Sequence, residues 1–303
     1  MKNTWSLHMD INYELYRVFY YVARTLSFSE ASKQLFISQS AVSQSIKTLE
    51  KKLDQQLFLR STKKVSLTPA GEILFKHVEP AINLIMRAED QLLDDAIVAS
   101  GQLHIAASDT ICRYFLVPYL KKFHQKFPDI TIRVTNATSL ACADLLEQGK
   151  VDLIVCNYPN MRLSPSSIYH TVARFSDIFC GNPNCFDLSC PMTIKEINRF
   201  PLMTLEKHST TSEFLHKLFL QQQMELLPTI RLASNDLLID LARIGLGIAF
   251  VPDFCIKKES RDLVIVDLKD QIPQRQLIVA TMPSLPLTPA ARAFIELLPN
   301  LSS

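Results

Sequence analysis

The sequence predicts an α/β protein in three parts: a helical N-terminal module with a small hairpin, a long helix, and a larger domain of alternating strands and helices. Three observations carry that prediction. Apolar residues recur at helical spacing through most of the first hundred positions. Two short strand-like runs, at 57–60 and 65–68, flank a basic tip within that region. Beyond residue 100, short apolar runs such as VDLIV at 151–155 alternate with helical patterns, which is how a largely parallel sheet reads.

Length and composition set the bounds. A chain of 303 residues has room for two or three domains, and its 48% hydrophobic and 20% charged residues are those of an ordinary globular protein. No apolar run approaches the roughly 18 residues of a membrane span, so no membrane partner is expected. The N-terminal MKNTWSLHMD lacks the charged-then-apolar order of a secretory signal, and a cytoplasmic location is expected. The net charge of +2 hides an asymmetry. Residues 1–68 hold ten Lys and Arg against five acids, a net +5, which leaves −3 for the remainder. A basic module on a mildly acidic body is the electrostatic footprint of a nucleic-acid binder.

The N-terminal elements follow in order. Leu15, Val18, Phe19, Val22 and Leu26 form a helical stripe. Ser27 stands three residues before Glu30, a capping box that opens a short helix over 29–36 with Ala31 and Leu35 buried. A turn over 37–39 then leads into SQSAVSQSIKTLEKKL, with Ser38 as its N-cap. Val42, Ile46, Leu49 and Leu53 make its apolar stripe, and Ser40, Gln44, Lys47 and Lys51, with Ser43 beside them, make the opposite face. Serine is a weak helix former, so this face either is simply solvated or meets phosphates and base edges. Two short helices joined by such a turn are a helix-turn-helix, whose second helix enters the major groove of double-stranded DNA. Ser38, Gln39, Ser40, Ser43, Gln44 and Lys47 are its candidate contacts.

The hairpin that follows reads as a wing, with Arg60, Lys63 and Lys64 as phosphate contacts at its tip. Thr68 caps the next helix and Pro69 takes its first position. That helix is expected to run to about residue 99. Leu74, Val78, Ala81, Ile85, Ala88 and Leu92 alternate four and three apart along it, a heptad seam that predicts a homodimer, with Pro80 kinking it or marking a second start.

These blocks, FSEASKQLFISQSAVSQSIKTLEKKL, LFLRSTKKVSLTPAGE and GQLHIAASDTICRYFLVPYLKKFHQKFPDI, resemble the LysR-type transcriptional regulators of bacteria, over essentially the whole chain from about residue 10. One departure is Asp54, where the family usually has glycine after LEKKL. The resemblance implies a winged helix-turn-helix domain over 10–68, a linker and dimerisation helix over 69–99, and an effector-binding regulatory domain over 100–303. It implies that the last resembles a two-lobed type 2 periplasmic binding protein, and that the chains assemble as dimers or tetramers. Lobe I is expected at about 100–167 and 269–303, lobe II at about 168–268.

The periodicities support such a domain independently, with strand-like runs at 103–107, 131–134 and 151–155 and helical ones at 111–127 and 140–148. A ligand belongs in the cleft at strand C-termini and helix N-termini, where free N–H groups favour carboxylates. Four segments are expected there: SDT (Ser108, Asp109, Thr110), NATS (with Thr138 and Ser139), HSTT (with Ser209, Thr210 and Thr211) and ASND (with Ser234 and Asn235). Each also reads as a plain N-cap. Together they predict a small anionic or zwitterionic effector. Arg113 either clamps a carboxylate or faces solvent, and Gly245 and Gly247 serve a tight turn at the cleft floor or a purely structural one.

Cys180, Cys185 and Cys190 recur five apart in a loop-like stretch. Metal ligation or redox sensing competes here with ordinary loop cysteines, since zinc motifs use tighter pairs and no cationic neighbour is evident. No metal site or cofactor is expected. A solute-binding protein shares the two-lobed fold but leaves residues 10–98 without a role. No P-loop, G-x-G-x-x-G, H-E-x-x-H or nucleophile motif is present, so the chain does not read as an enzyme.

Overall fold

The computed structural model describes residues 11–60, 65–93, 101–256 and 261–301. In the N-terminal part, helices α1 (Tyr13–Thr25), α2 (Phe28–Leu35) and α3 (Gln39–Leu53) precede a hairpin of β1 (Phe58–Arg60) and β2 (Val65–Leu67) and the long helix α4 (Pro69–Leu93). The N-caps fall where the sequence places them, but the expected capping box is only half formed, because Ser27 N donates to Thr25 Oγ1 rather than to Glu30. Ser27 accepts from Glu30 N, Ser38 from Ala41 N, and Thr68 from Gly71 N. Asp54 takes the left-handed cap at φ 51°, so the helix closes without the usual glycine. Phe19, Val22, Ala31, Val42, Ile46, Leu49 and Phe58 form a closed core. Glu50 accepts from Leu57 N and Phe58 N at 2.9 and 3.2 Å, which seats the hairpin against α3. Gly71 is demanded by close approach, because a Cβ there would meet the Leu57 carbonyl.

Helix α4 corrects the expected seam. It runs unbroken through Pro80, with no second start. Val78 and Ile82 are buried in the N-terminal core, and Leu74, Phe75 and Met86 pack against it. Leu74 and Val78 therefore belong to the domain's own interior. Ala81, Ile85 and Ala88 are exposed, and the Leu92 side chain lies outside the described residues.

The C-terminal part holds two five-stranded sheets. The first, in order β4-β3-β5-β12-β6, comprises β3 (Gln102–Ala107), β4 (Thr131–Asn136), β5 (Leu153–Tyr158), β6 (Ile168–Phe175) and β12 (Arg275–Thr281). The second, in order β11-β7-β10-β8-β9, comprises β7 (Asp177–Gly181), β8 (Leu202–Leu205), β9 (Ile230–Leu232), β10 (Ile248–Pro252) and β11 (Val264–Ile265). This corrects the expected lobe boundary: β6 pairs with β12 along its length, so residues 168–175 belong to the first lobe. The chain passes to the second lobe at Ser176 and returns before Arg275.

Helices follow the strands as parallel topology requires. The first lobe carries α5 (Asp109–Ile111), which continues through a π-helical turn (Cys112–Leu116) into α6 (Val117–Lys126), then α7 (Ser139–Glu147) and α11 (Pro289–Ile295). The second carries α8 (Ile194–Ile197), α9 (Thr210–Gln221) and α10 (Asn235–Arg243). No described helix is long and apolar enough to cross a membrane.

Candidate functional site

In the helix-turn-helix, Val42, Ile46 and Leu49 of the α3 stripe are buried and Leu53 packs against the core, while Gln39, Ser40, Gln44 and Lys47 remain exposed, with Ser43 half-buried. Ser38 and Ser40 share a hydroxyl hydrogen bond of 2.8 Å while Ser38 caps the helix. Phe36 in the turn, held at a left-handed φ of 57°, is 93% exposed, an aromatic next to this face that sequence reasoning missed. The β1–β2 hairpin pairs Phe58 with Leu67 and Arg60 with Val65, as a wing requires. Its expected phosphate contacts, the Arg60 side chain, Lys63 and Lys64, lie outside the described residues.

In the C-terminal part, all four sequence-predicted segments line one cavity of about 380 Å³ between the lobes. Ser108, Asp109, Thr110, Thr138 and Ser139 come from the first lobe, and Ser209, Thr210, Thr211, Ser234 and Asn235 from the second. One residue of each segment is a plain N-cap. Ser108, Thr138, Ser209 and Ser234 cap the helices that begin there, accepting from Ile111, Ala141, Ser212 and Leu237 N. The hydroxyls at the helix starts do something else.

They join the lobes. Asn235 Nδ2 of the second lobe donates to Thr110 Oγ1 of the first at 3.0 Å. Asn157 Nδ2 of the first donates to Thr210 Oγ1 of the second at 3.1 Å, while Asn157 N donates to Ser139 Oγ. Both asparagine side-chain oxygens are buried and carry no hydrogen bond among the described residues. Asn157 follows the buried run LIVC near the end of β5, so a polar residue after a buried run was the signal for it. Ile111, Leu205, Glu206, Pro252 and Phe254 also line it, without any sequence signal.

Beside the cavity, Arg275 Nη1 donates to Asp177 Oδ2 at 2.8 Å and to Thr211 Oγ1 at 3.2 Å. The pair is 2% and 0% exposed, and the guanidinium lies over Phe175 and Phe214. Burial pushes the Asp177 carboxyl up from its ordinary value, against the pull of Arg275. Tyr114 donates to Asp236, and burial together with that carboxylate pushes its phenol up to about 12. Arg113 holds Asp236 as well, at 3.4 Å, so the carboxylate it clamps belongs to its own chain.

Two further expectations are corrected. Gly245 and Gly247 do not line the cavity. Gly245 turns the chain out of α10 at φ 81° and leaves room for Cys185, whose Sγ a Cβ would meet. Cys180 is not in a loop: it is buried in β7, and burial pushes its thiol up to about 12. Only Cys185 and Cys190 of that trio are exposed. No group of three or more His, Cys, Asp and Glu among the described residues is placed to hold a metal.

Residues 98–302 match the family described as LysR substrate binding domain, and residues 13–72 match the bacterial regulatory helix-turn-helix proteins of the lysR family. The chain belongs to the LysR family. It is a LysR-type transcriptional regulator with a DNA-binding helix-turn-helix and an effector-binding domain. An Escherichia coli K12 relative, the uncharacterized HTH-type transcriptional regulator YcaN, is 39% identical over 141 residues, 46% of each chain. A probable RuBisCO transcriptional regulator from Cyanidioschyzon merolae is 27% identical over 292 residues, 94% of this chain and 96% of that one. Among solved LysR structures, full-length CbnR in complex with its target DNA has a TM-score of 0.61 at 18% identity, covering 95% of this chain and 98% of that one. That likeness speaks to fold.

Proposed function

We propose that this LysR regulator grips promoter DNA with the exposed face of α3 and the wing, and that a small anionic or zwitterionic metabolite in the inter-lobe cavity modulates that grip. The observation that carries the reading is the convergence of four helix starts on one inter-lobe cavity, each helix already capped by its own Ser or Thr. The caps consume one first-turn N–H apiece, and the other first-turn N–H groups have no intrahelical partner to satisfy them. With the helix dipoles, they favour a negatively charged group between the lobes. An effector that touches both lobes favours their closed arrangement, and by linkage it shifts DNA binding only by its differential affinity, typically about 1–3 kcal/mol.

Two copies joined through the exposed face of α4 at Ala81, Ile85 and Ala88 would present two reading heads to a two-part site. A regulator of promoters acts where the chromosome is, in the cytoplasm. No catalytic step is needed for this function and none is assigned.

Thr110 gives the test. Thr110→Val removes a hydroxyl at nearly constant volume and leaves the Asn235 amide without its partner. The ligand-dependent change in promoter affinity should disappear, and Thr110→Ser, which keeps the hydroxyl, should restore it. A normal response in Thr110→Val places the effector elsewhere.

A further inference from the structure

We infer that the effector carries a positively charged amino group as well as its anion: it is a zwitterion of the α-amino-acid type rather than a phosphate or a simple carboxylate. This rests on the cavity being the effector site and concerns what that site selects. The reasoning starts from charge. No Lys or Arg lines the cavity among the described residues, whereas Asp109 and Glu206 do. Sites for phosphate or dicarboxylate use arginine forks to offset the ligand charge. Here the two arginines that touch this region are already committed, Arg113 to Asp236 and Arg275 to Asp177. A multiply charged anion would find helix N-termini and the His208 imidazole but also two exposed carboxylates, with no Lys or Arg among the described lining residues to neutralise them.

The second observation is independent of charge. Asn157 and Asn235 are 9% and 5% exposed, one from each lobe, and each has a buried oxygen with no hydrogen-bond partner among the described residues. A buried acceptor left unpaired is costly, so each oxygen calls for a donor. Carboxylates and fully ionised phosphates have no donors to give. An ammonium group has three. Acceptors on Asn157, Asn235, Asp109 and Glu206 thus favour a cationic donor, while the N-termini of α7, α9 and α10 favour a carboxylate. One ligand of this size satisfies both sets only if it holds both charges.

The test uses the full-length chain and a panel of L-α-amino acids, each beside its des-amino carboxylic acid, with inorganic phosphate as a further arm. Thermal shift and promoter titration are read together. We expect at least one amino acid to raise the melting temperature and alter promoter affinity, with its des-amino partner binding at least a hundredfold more weakly. Glu206→Gln should then weaken the amino acid about tenfold and leave the des-amino acid no weaker. Equal binding of the des-amino acid or of phosphate, abolished by Thr110→Val, overturns the zwitterion but leaves the cleft as the effector site. An amino-acid response that Thr110→Val leaves intact overturns both. Silence across the whole panel overturns the amino-acid assignment.

Discussion

Asn157, at the end of β5, donates its side-chain amide to the Thr210 hydroxyl at 3.1 Å and so ties the first lobe to the start of α9 in the second. The bond from Asn235 to Thr110 mirrors it, with the lobes exchanged. Each lobe therefore offers an asparagine to a threonine at the other's helix start, and the two bonds bracket the cavity. Thr210→Val should cost about 1–3 kcal/mol, because it strands a buried amide donor. The double mutant Asn157→Ala/Thr210→Val should cost clearly less than the sum of its parts. Thermal or urea unfolding of the four proteins measures the coupling. Additive costs would mean that the two side chains do not act as a pair.

The recognition helix gives a prediction that separates two kinds of contact. Gln44 and Lys51 are both exposed on α3, but an amide reads base edges whereas a lysine near the helix end meets phosphate. Gln44→Ala should weaken binding to the cognate promoter by about 1–3 kcal/mol and to random DNA hardly at all. Lys51→Ala should weaken both alike and reduce the salt slope by about one. Titrations on both DNAs at several salt concentrations decide it. Equal losses for Gln44→Ala on the two DNAs would move that residue to the backbone.

The cysteines yield a chemical prediction. Burial pushes the Cys112 thiol up to about 11 and the Cys156 and Cys180 thiols up to about 12, and raises Cys142 and Cys255 as well. Alkylation proceeds through the thiolate, which at pH 8 is about one part in a thousand for Cys112 and one in ten thousand for Cys156 and Cys180. Iodoacetamide on the native protein should therefore modify Cys185 and Cys190 first, as peptide mass mapping will show. The Cys185→Ser/Cys190→Ser protein should keep its effector response. Loss of that response would revive a redox or metal role for the trio.

What the sequence displayed, and what it hid, has physical reasons. Helix starts were legible because Ser27, Ser38, Thr68, Ser108, Thr138, Ser209 and Ser234 are all working caps, and capping chemistry is local. The cavity lining was legible for the same reason, since parallel α/β topology brings helix starts to one edge. Arg275 was hidden because its role depends on what the other lobe presents, Asp177 and Thr211. Residues 168–175 belong to the first lobe, not to the second as expected, because lobe membership is set by which strand a stretch pairs with, and here that is β12. The α4 seam was half misread for a related reason. A heptad pattern records which positions are apolar and is silent on whether a domain's own core or a partner covers them.

That last point becomes a prediction because α4 now has two apolar faces with different neighbours. Val78 is 8% exposed and packed in the N-terminal core, whereas Ile85 is 37% exposed on the outer side with Ala81 and Ala88. A charge at Val78 has no water and no partner, so Val78→Asp should unfold or severely destabilise the domain. A charge at Ile85 is hydrated in a single chain, so Ile85→Asp should leave the far-UV spectrum and melting temperature of the isolated chain near wild type. It is costly only if a second copy covers that face. We expect Ile85→Asp to shift the protein towards monomer in light scattering and to lower promoter affinity, because two half-sites are no longer engaged together. Ile85→Leu, which keeps the apolar surface, should behave as wild type. An Ile85→Asp protein that stays dimeric or tetrameric at micromolar concentration would place the main interface outside α4.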